Sequence, residues 1–163
     1  MLRIKEISIK SKLSELHYLE NFVEQISDVY NVNSTYYSNI LVALNEAVTN
    51  SIIHANHEEE SKKVNIKFEA KNKGLVFTVT DEGTGFDFNN YPDPTDVNIE
   101  NYEQIGHGLF LMKRLSDTIE YDKETGALEI GFKISSINKE LAVSRVNSLN
   151  AYFKTNKKTE KAH

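Results

Sequence analysis

The chain has 163 residues, with 19 Lys+Arg against 24 Asp+Glu, 39% hydrophobic residues and no cysteine. A domain of this length buries roughly 70% of its unfolded-chain surface, enough for a core that needs no staples, and the missing cysteines exclude disulfides and thiolate metal sites. The net charge of −5 argues against broad nucleic-acid binding through phosphates, while the lack of a long apolar run and of a basic-then-apolar leader places the expected protein in the cytoplasm, off the membrane.

In chain order, residues 1–10 alternate in two phases, Leu2/Ile4 and then Ile7/Ile9, and the slip at Lys5-Glu6 predicts a strand with a bulge or kink. From Ser11 the period lengthens: Leu13, Leu16, Leu19 or Glu20, Val23 and Ile26 predict an amphipathic helix to about Tyr30. Asn31 to Ser34 is a loop, and a second helix is expected over 35–56 with Ile40, Leu41, Leu44, Val48 and Ile52 as its core stripe. Glu58-Glu59-Glu60 mark a solvated turn. The strictly alternating segment 64–69 reads as a strand with one wet face, and the nearly continuous apolar and β-branched segment 75–80 reads as the central strand, joined to it by a turn at Asn72-Lys73-Gly74.

Residues 86–105 hold both prolines and show no period, the mark of a functional lid or of disorder. A third helix is expected over 109–117, followed by a hairpin of 118–122 and 127–134 turned at Glu124-Thr125-Gly126. Past Ser135, Ala142, Val146, Leu149 and Phe153 stand at helical spacing before a polar, basic end expected to be disordered. The order β-α-α-β-β-lid-α-β-β predicts an α+β two-layer sandwich, helices covering one face of a mixed, mostly antiparallel sheet, in residues 1–135, with 136–163 as a helix and tail.

Three segments carry candidate chemistry. Glu46, Asn50 and His54 lie at i, i+4 and i+8 on the second helix, one polar stripe beside the apolar one. A carboxylate one turn from a carboxamide can set a general base next to an oxygen ligand for Mg²⁺; a solvent-facing stripe is the plainer reading of the same spacing. Asp81-Glu82-Gly83-Thr84-Gly85 leaves the central strand, where an Asp can accept from an exocyclic amine and spaced glycines let backbone approach a flat ligand, or simply turn. Gly106-His107-Gly108 opens the third helix, whose first-turn N–H groups favour an anion. No P-loop pattern and no strand-GxGxxG-helix fingerprint is present.

E-x-x-x-N on a helix, D-x-G-x-G after a strand and G-x-G before a helix, in that order and with a lid between the last two, resemble the GHKL (Bergerat-fold) ATP-binding family over about residues 10–134. Glu46-Ala-Val-Thr-Asn50 with Ile53-His54-Ala55, and Gly108-Leu-Phe-Leu-Met112, are similar to the small bacterial anti-sigma factors that are also serine kinases. The resemblance implies ATP and Mg²⁺ as cofactors, Asn50 as the metal ligand, Glu46 as general base and Asp81 as acceptor for the adenine amino group. Gly83 and Gly85 would form the adenine-side turn, and Gly106 and Gly108 would line the phosphates. His54, Thr84 and His107 are further candidates.

It also implies partners, a sigma factor and an anti-anti-sigma protein of STAS type phosphorylated on serine, and a homodimer built through the first strand and helix. Two departures stand out. Gly126-Ala127 replaces the family's Gly-Thr, so that Asp81 and water, or Thr125, must supply that part of the adenine network. The lid carries Asp87, Asp93, Asp96, Glu100 and Glu103 without a Lys or Arg, unfavourable beside a triphosphate unless screened. A nucleotide-gated binding module without kinase activity is the alternative function. A catalytic domain from a histidine-kinase system is disfavoured, because the first 30 residues are too short for a histidine-bearing hairpin.

Overall fold

Period-two segments form five strands, β1 (Ile4–Lys10), β2 (Lys63–Lys71), β3 (Gly74–Asp81), β4 (Thr118–Asp122) and β5 (Ala127–Phe132), and period-3.6 segments form α1 (Leu16–Val29), α2 (Ser34–Asn50) and α3 (His107–Leu115). The computed structural model describes residues 3–72, 74–83 and 107–133, together with 147, 150, 151 and 154. The strands join in one sheet of order β1-β2-β3-β5-β4, and all four pairings are antiparallel.

One face of the sheet is apolar: Ile9, Val64, Ile66, Phe68, Leu75, Phe77, Val79, Leu128, Ile130 and Phe132 are buried there with Leu19, Phe22, Val23, Ile26, Ile40, Leu44, Val48 and Met112 of the helices. Ring contacts run through this layer, Tyr30 to Phe68 at 5.5 Å, Phe68 to Phe77 at 5.3 Å and Phe77 to Phe132 at 6.1 Å between centroids. Each fully buried ring is worth about 1.5–3 kcal/mol over an exposed one, so the sheet is sewn crosswise by its aromatic pairs as well as by its ladders. The other face is polar, with Glu6, Lys67, Thr78, Glu129 and Glu120 in one cross-strand row. The expected α+β two-layer sandwich is therefore what forms, with the expected strand 75–80 at its centre as β3, but among the described strands the sheet is antiparallel throughout and not mixed.

The predicted bulge in β1 is not there. Its register on β2 runs unbroken from Ile4 opposite Glu69 to Lys10 opposite Lys63. The slip disappears because Lys5 occupies an inward position: its ammonium lies 5.7 Å from the centroid of the Phe22 ring and bonds the Gln25 side-chain oxygen, so the stem covers apolar surface while the charge stays wet. Ile7 and Ile9 then face the core, and Ile4, 53% exposed, faces the other way. Leu13 is a second correction. It starts a 3₁₀ turn, Leu13–Glu15, ahead of α1 and is 42% exposed, outside the predicted core stripe.

The two helices meet through a turn in which Asn31 takes φ 51° and the Asn33 side chain accepts the Tyr36 N–H at 2.9 Å, capping α2. The core stripe of α2 is as predicted, Ile40, Leu44, Val48 and Ile52 buried and Leu41 packed against them. Its end is not the simple α-helix to 56. A wide turn spans Ser51–Ala55, closed by the Asn56 N–H on the Ser51 carbonyl, five residues back, at 2.8 Å. His57 and Glu58 follow at φ 53° and 56°, and the Glu58 N–H returns to the Ile52 carbonyl at 2.8 Å. Left-handed backbone costs an L-residue about 1–2 kcal/mol, so packing around this corner outweighs local preference. Among the described residues no helix is long and apolar enough to cross a membrane. The lid 86–105 and most of the predicted tail helix lie outside the described residues; the four described beyond 134 include the helical positions Asn147 and Ala151.

Candidate functional site

The polar stripe of α2 is half-buried because α3 lies across it. Glu46 and Asn50 are neither core nor fully exposed, and Gly108 in the first turn of α3 is what lets the helices approach. A β-carbon on Gly108 would stand 2.6 Å from Glu46 Oε2 and 3.4 Å from Asn50 Nδ2. The glycine predicted as an opener of the helix therefore has a second reason to be glycine, in that a side chain there would occupy the space of the carboxylate. It also brings a helix start, whose first-turn N–H groups have no partner within the helix, beside Asn50 and the Glu46 carboxylate, with no acidic residue in that first turn itself. His54, one step further along the stripe, falls in the wide turn and is exposed.

Asp81 ends β3 opposite Val64 of β2. Its Oδ1 accepts the Gly83 N–H at 3.0 Å, and the Ser51 hydroxyl also bonds the carboxylate. Burial nevertheless dominates and raises its pKa above the ordinary 3.8, with the Gly83 and Ser51 bonds acting in the opposite direction. Next to it, Glu82 Oε2 accepts the Lys63 N–H at 2.7 Å and ties the turn to the start of β2. Gly83 is required for space: a β-carbon there would lie 1.9 Å from the Ala55 carbonyl oxygen and 2.9 Å from Asn56 Oδ1.

Asn50 and Asp81 open on one cleft, whose walls include Ser51, Val79, Met112, Tyr121, Gly126 and Leu128. Its lining is mostly apolar with the carboxamide and carboxylate set into it, and the space it encloses among the described residues is about 20 Å³, so a planar, polar-edged ligand would have to widen it. Gly126, at φ 69° in the β4–β5 turn, is at its rim. Thr125 is exposed, and its oxygen accepts the Ala127 N–H at 3.4 Å and bonds Asp122. Its hydroxyl is thus engaged within the hairpin, while Ser51 reaches Asp81 directly. Asn50, Asp81, Gly83 and Gly108 of the predicted set are thereby placed around one region, with Glu46 at its α3 side. Thr84, Gly85, Gly106 and the side chain of His107 lie outside the described residues. Ser51, Asn56 and the Ala55 carbonyl belong to the site's framework and were missed; Asn56 follows the helix motif directly, yet nothing in its local pattern distinguishes it from a turn residue. Among the described residues no group of three or more His, Asp or Glu side chains could hold a metal, and Asn50 offers a single carboxamide oxygen, which suits an ion that keeps its waters and is shared with phosphates.

A carboxylate and a carboxamide one helical turn apart beside a helix start, the carboxamide sharing a cleft with a half-buried Asp at a strand end, fit a nucleotide site in an α+β sandwich. Residues 9–133 match the family model described as histidine kinase-like ATPase domain, and the chain belongs to that family; ATP binding comes with it. The chain is 34% identical over 91 residues to the serine-protein kinase RsbW of Staphylococcus aureus (strain bovine RF122 / ET3-1), covering 52% of this chain and 57% of that protein. It is 29% identical over 92 residues to the serine-protein kinase RsbW of Oceanobacillus iheyensis, covering 53% and 58%. The chain thus spans little more than half the length of these relatives.

Two predictions concern this geometry. Because the folded-state pKa of Asp81 lies above the unfolded one, stability associated with its protonated form is present below the unfolded value of about 3.8 and is lost as pH rises through the folded value. Urea denaturation of wild type and Asp81→Asn over an acid-to-neutral series should show the variant gaining on wild type across that window and holding its lead above it. A constant difference would mean a solvated carboxylate. The two glycines should separate as well. Gly83→Ala meets a backbone carbonyl and should cost about 1–3 kcal/mol, whereas Gly108→Ala meets only the mobile end of Glu46 and should stay within about 1 kcal/mol of wild type while displacing that carboxylate. Equal losses in the two melts would contradict the packing described.

Proposed function

We propose that the chain is an ATP-dependent serine kinase and anti-sigma factor that phosphorylates an anti-anti-sigma partner of STAS type. The observation that carries this reading is the apposition of Gly108 to Glu46 and Asn50, beside a cleft that ends at Asp81; the names of the RsbW relatives supply the substrate class. In this reading Asp81 accepts a hydrogen bond from the adenine amino group, its carboxylate held by the Gly83 N–H and the Ser51 hydroxyl. The first-turn N–H groups of α3 face the phosphates.

The partner's serine oxygen attacks the γ-phosphorus, a new P–O bond forms as the bond to the β–γ bridging oxygen breaks, and ADP leaves. Glu46 takes the serine proton, and Gly108 keeps room for its carboxylate. Asn50 would hold Mg²⁺ through its carboxamide oxygen, and the ion when bound would neutralise charge on the phosphate oxygens. Gly85, Gly106, Thr84 and His107 complete the proposed nucleotide contacts by their place in the motifs, and His54, exposed at the end of the stripe, is left outside the chemistry. A nucleotide-gated binding module is the second reading, and the presence of Glu46 beside Asn50 favours the kinase, since gating alone requires no base.

Kinetics separates the two side chains. Glu46→Gln should slow phosphoryl transfer to the partner by about 10²- to 10⁴-fold while leaving the nucleotide-induced rise in melting temperature intact. Asn50→Ala should diminish both transfer and Mg²⁺-dependent stabilisation. Wild-type transfer by Glu46→Gln would remove the base assignment and leave the binding module.

The proposed homodimer has a narrower structural support than the apolar pattern of residues 2–9 implied. Ile7 and Ile9 are spent on the chain's own core, so β1, an edge among the described strands, offers its backbone and the exposed Ile4. Light scattering of the full chain at tens of micromolar should give twice the monomer mass, and Ile4→Lys should lower it; a wild-type monomer mass would end the claim.

A further inference from the structure

We infer that Asn56 is a positioning residue for the base-recognition end of the nucleotide site, acting on Asp81 through the Asp81-Glu82-Gly83 turn. Asn56 is fully buried. Its Nδ2 donates to Ser11 Oγ at 2.7 Å and to the Lys63 carbonyl at 3.1 Å. A carbonyl can only accept, so the amide nitrogen must face Lys63 and the orientation of the carboxamide is determined. Oδ1 is thereby turned toward Gly83, 2.9 Å from where a β-carbon on that residue would stand, and it finds no donor among the described residues.

A buried acceptor without a donor is costly, and a residue of similar volume without polar atoms would avoid it. What the amide supplies instead is connection. Ser11, also buried, donates from Oγ and from its own N–H to the Lys62 carbonyl at 2.9 and 3.1 Å, so the end of β1, the end of the wide turn and the start of β2 meet on one side chain. Lys63, gripped by its carbonyl, gives its N–H to Glu82, and the next residue, Val64, is the ladder partner of Asp81. The Gly83 face of the turn rests on Asn56 Oδ1 and the Ala55 carbonyl. Among the described residues, the Lys63 N–H to Glu82 bond and the seat of Gly83, two of the contacts that fix the turn after Asp81, both involve Asn56 or a residue it bonds.

The inference rests on the reading of Asp81 as the adenine acceptor, and its test keeps the two apart. In Asn56→Leu, which keeps volume and discards all polar contacts, the preference for ATP over GTP in equilibrium binding should fall about tenfold, equivalent to about 1.4 kcal/mol, with a loss of unfolding free energy smaller than that. Hydrogen exchange of the Gly83 amide in the nucleotide-free protein should accelerate about tenfold beyond the change expected from global stability. Ser11→Ala, which removes one acceptor of the amide, should move both readouts in the same direction by less, and it serves if Asn56→Leu does not fold. Unchanged selectivity and unchanged Gly83 protection in the folded variant would overturn the inference and leave Asn56 a packing residue. If wild type shows no preference for ATP, the reading of Asp81 falls, and the exchange of the Gly83 amide, which needs no nucleotide, still decides whether Asn56 positions the turn.

Discussion

Two backbones touch where the Ala55 carbonyl meets Gly83, and the arrangement of the site follows from that contact. A helix from one layer and a strand from the other must end against each other, and only a residue without a β-carbon can stand at the meeting point. The wide turn Ser51–Ala55 moves the Ala55 carbonyl into place, and the two left-handed residues after it carry the chain away toward β2. With the helix end thus seated, Asn50 and Asp81 face the same cleft although they lie on different layers.

The same junction is where the molecule spends stability. Asp81 is a carboxylate whose burial outweighs its hydrogen bonds, Asn56 hides an acceptor with no donor among the described residues, and His57 and Glu58 adopt a backbone that L-residues avoid. Among the described residues the other conflicts are scattered, Asn31 at φ 51° and the buried Ser27 Oγ and Asn45 Oδ1 without partners, while β2 alternates, α2 has its stripe, and the β4–β5 turn has its glycine at positive φ. Several conflicts gathered at one corner are how a binding site differs from a scaffold.

Much of this was legible beforehand. Ile40, Leu44, Val48 and Ile52 set α2 by spacing alone, strand 75–80 had the composition of a central strand, and the i, i+4 relation of Glu46 and Asn50 put both on one helix face. Lys5 misled, because a charged residue at an inward position looks like a change of phase unless its apolar stem is counted. The wide turn had no local signal in Ser-Ile-Ile-His-Ala, since its cause is the strand end that packs on it. For the same reason Gly108 could be read as a helix opener but not as the gap that admits Glu46, a fact belonging to two helices at once.

The wide turn has a consequence for how such a chain can change in length. The turn holds one residue more than the α turn it replaces, closed five residues back rather than four. A chain one residue shorter between 51 and 55 would close as ordinary helix with the following strand nearly in phase, but without the widened backbone that carries the Ala55 carbonyl to Gly83. The demand for glycine at position 83 is therefore tied to the residue count of a turn nearly thirty positions earlier, and a shorter turn would free that position to carry a side chain.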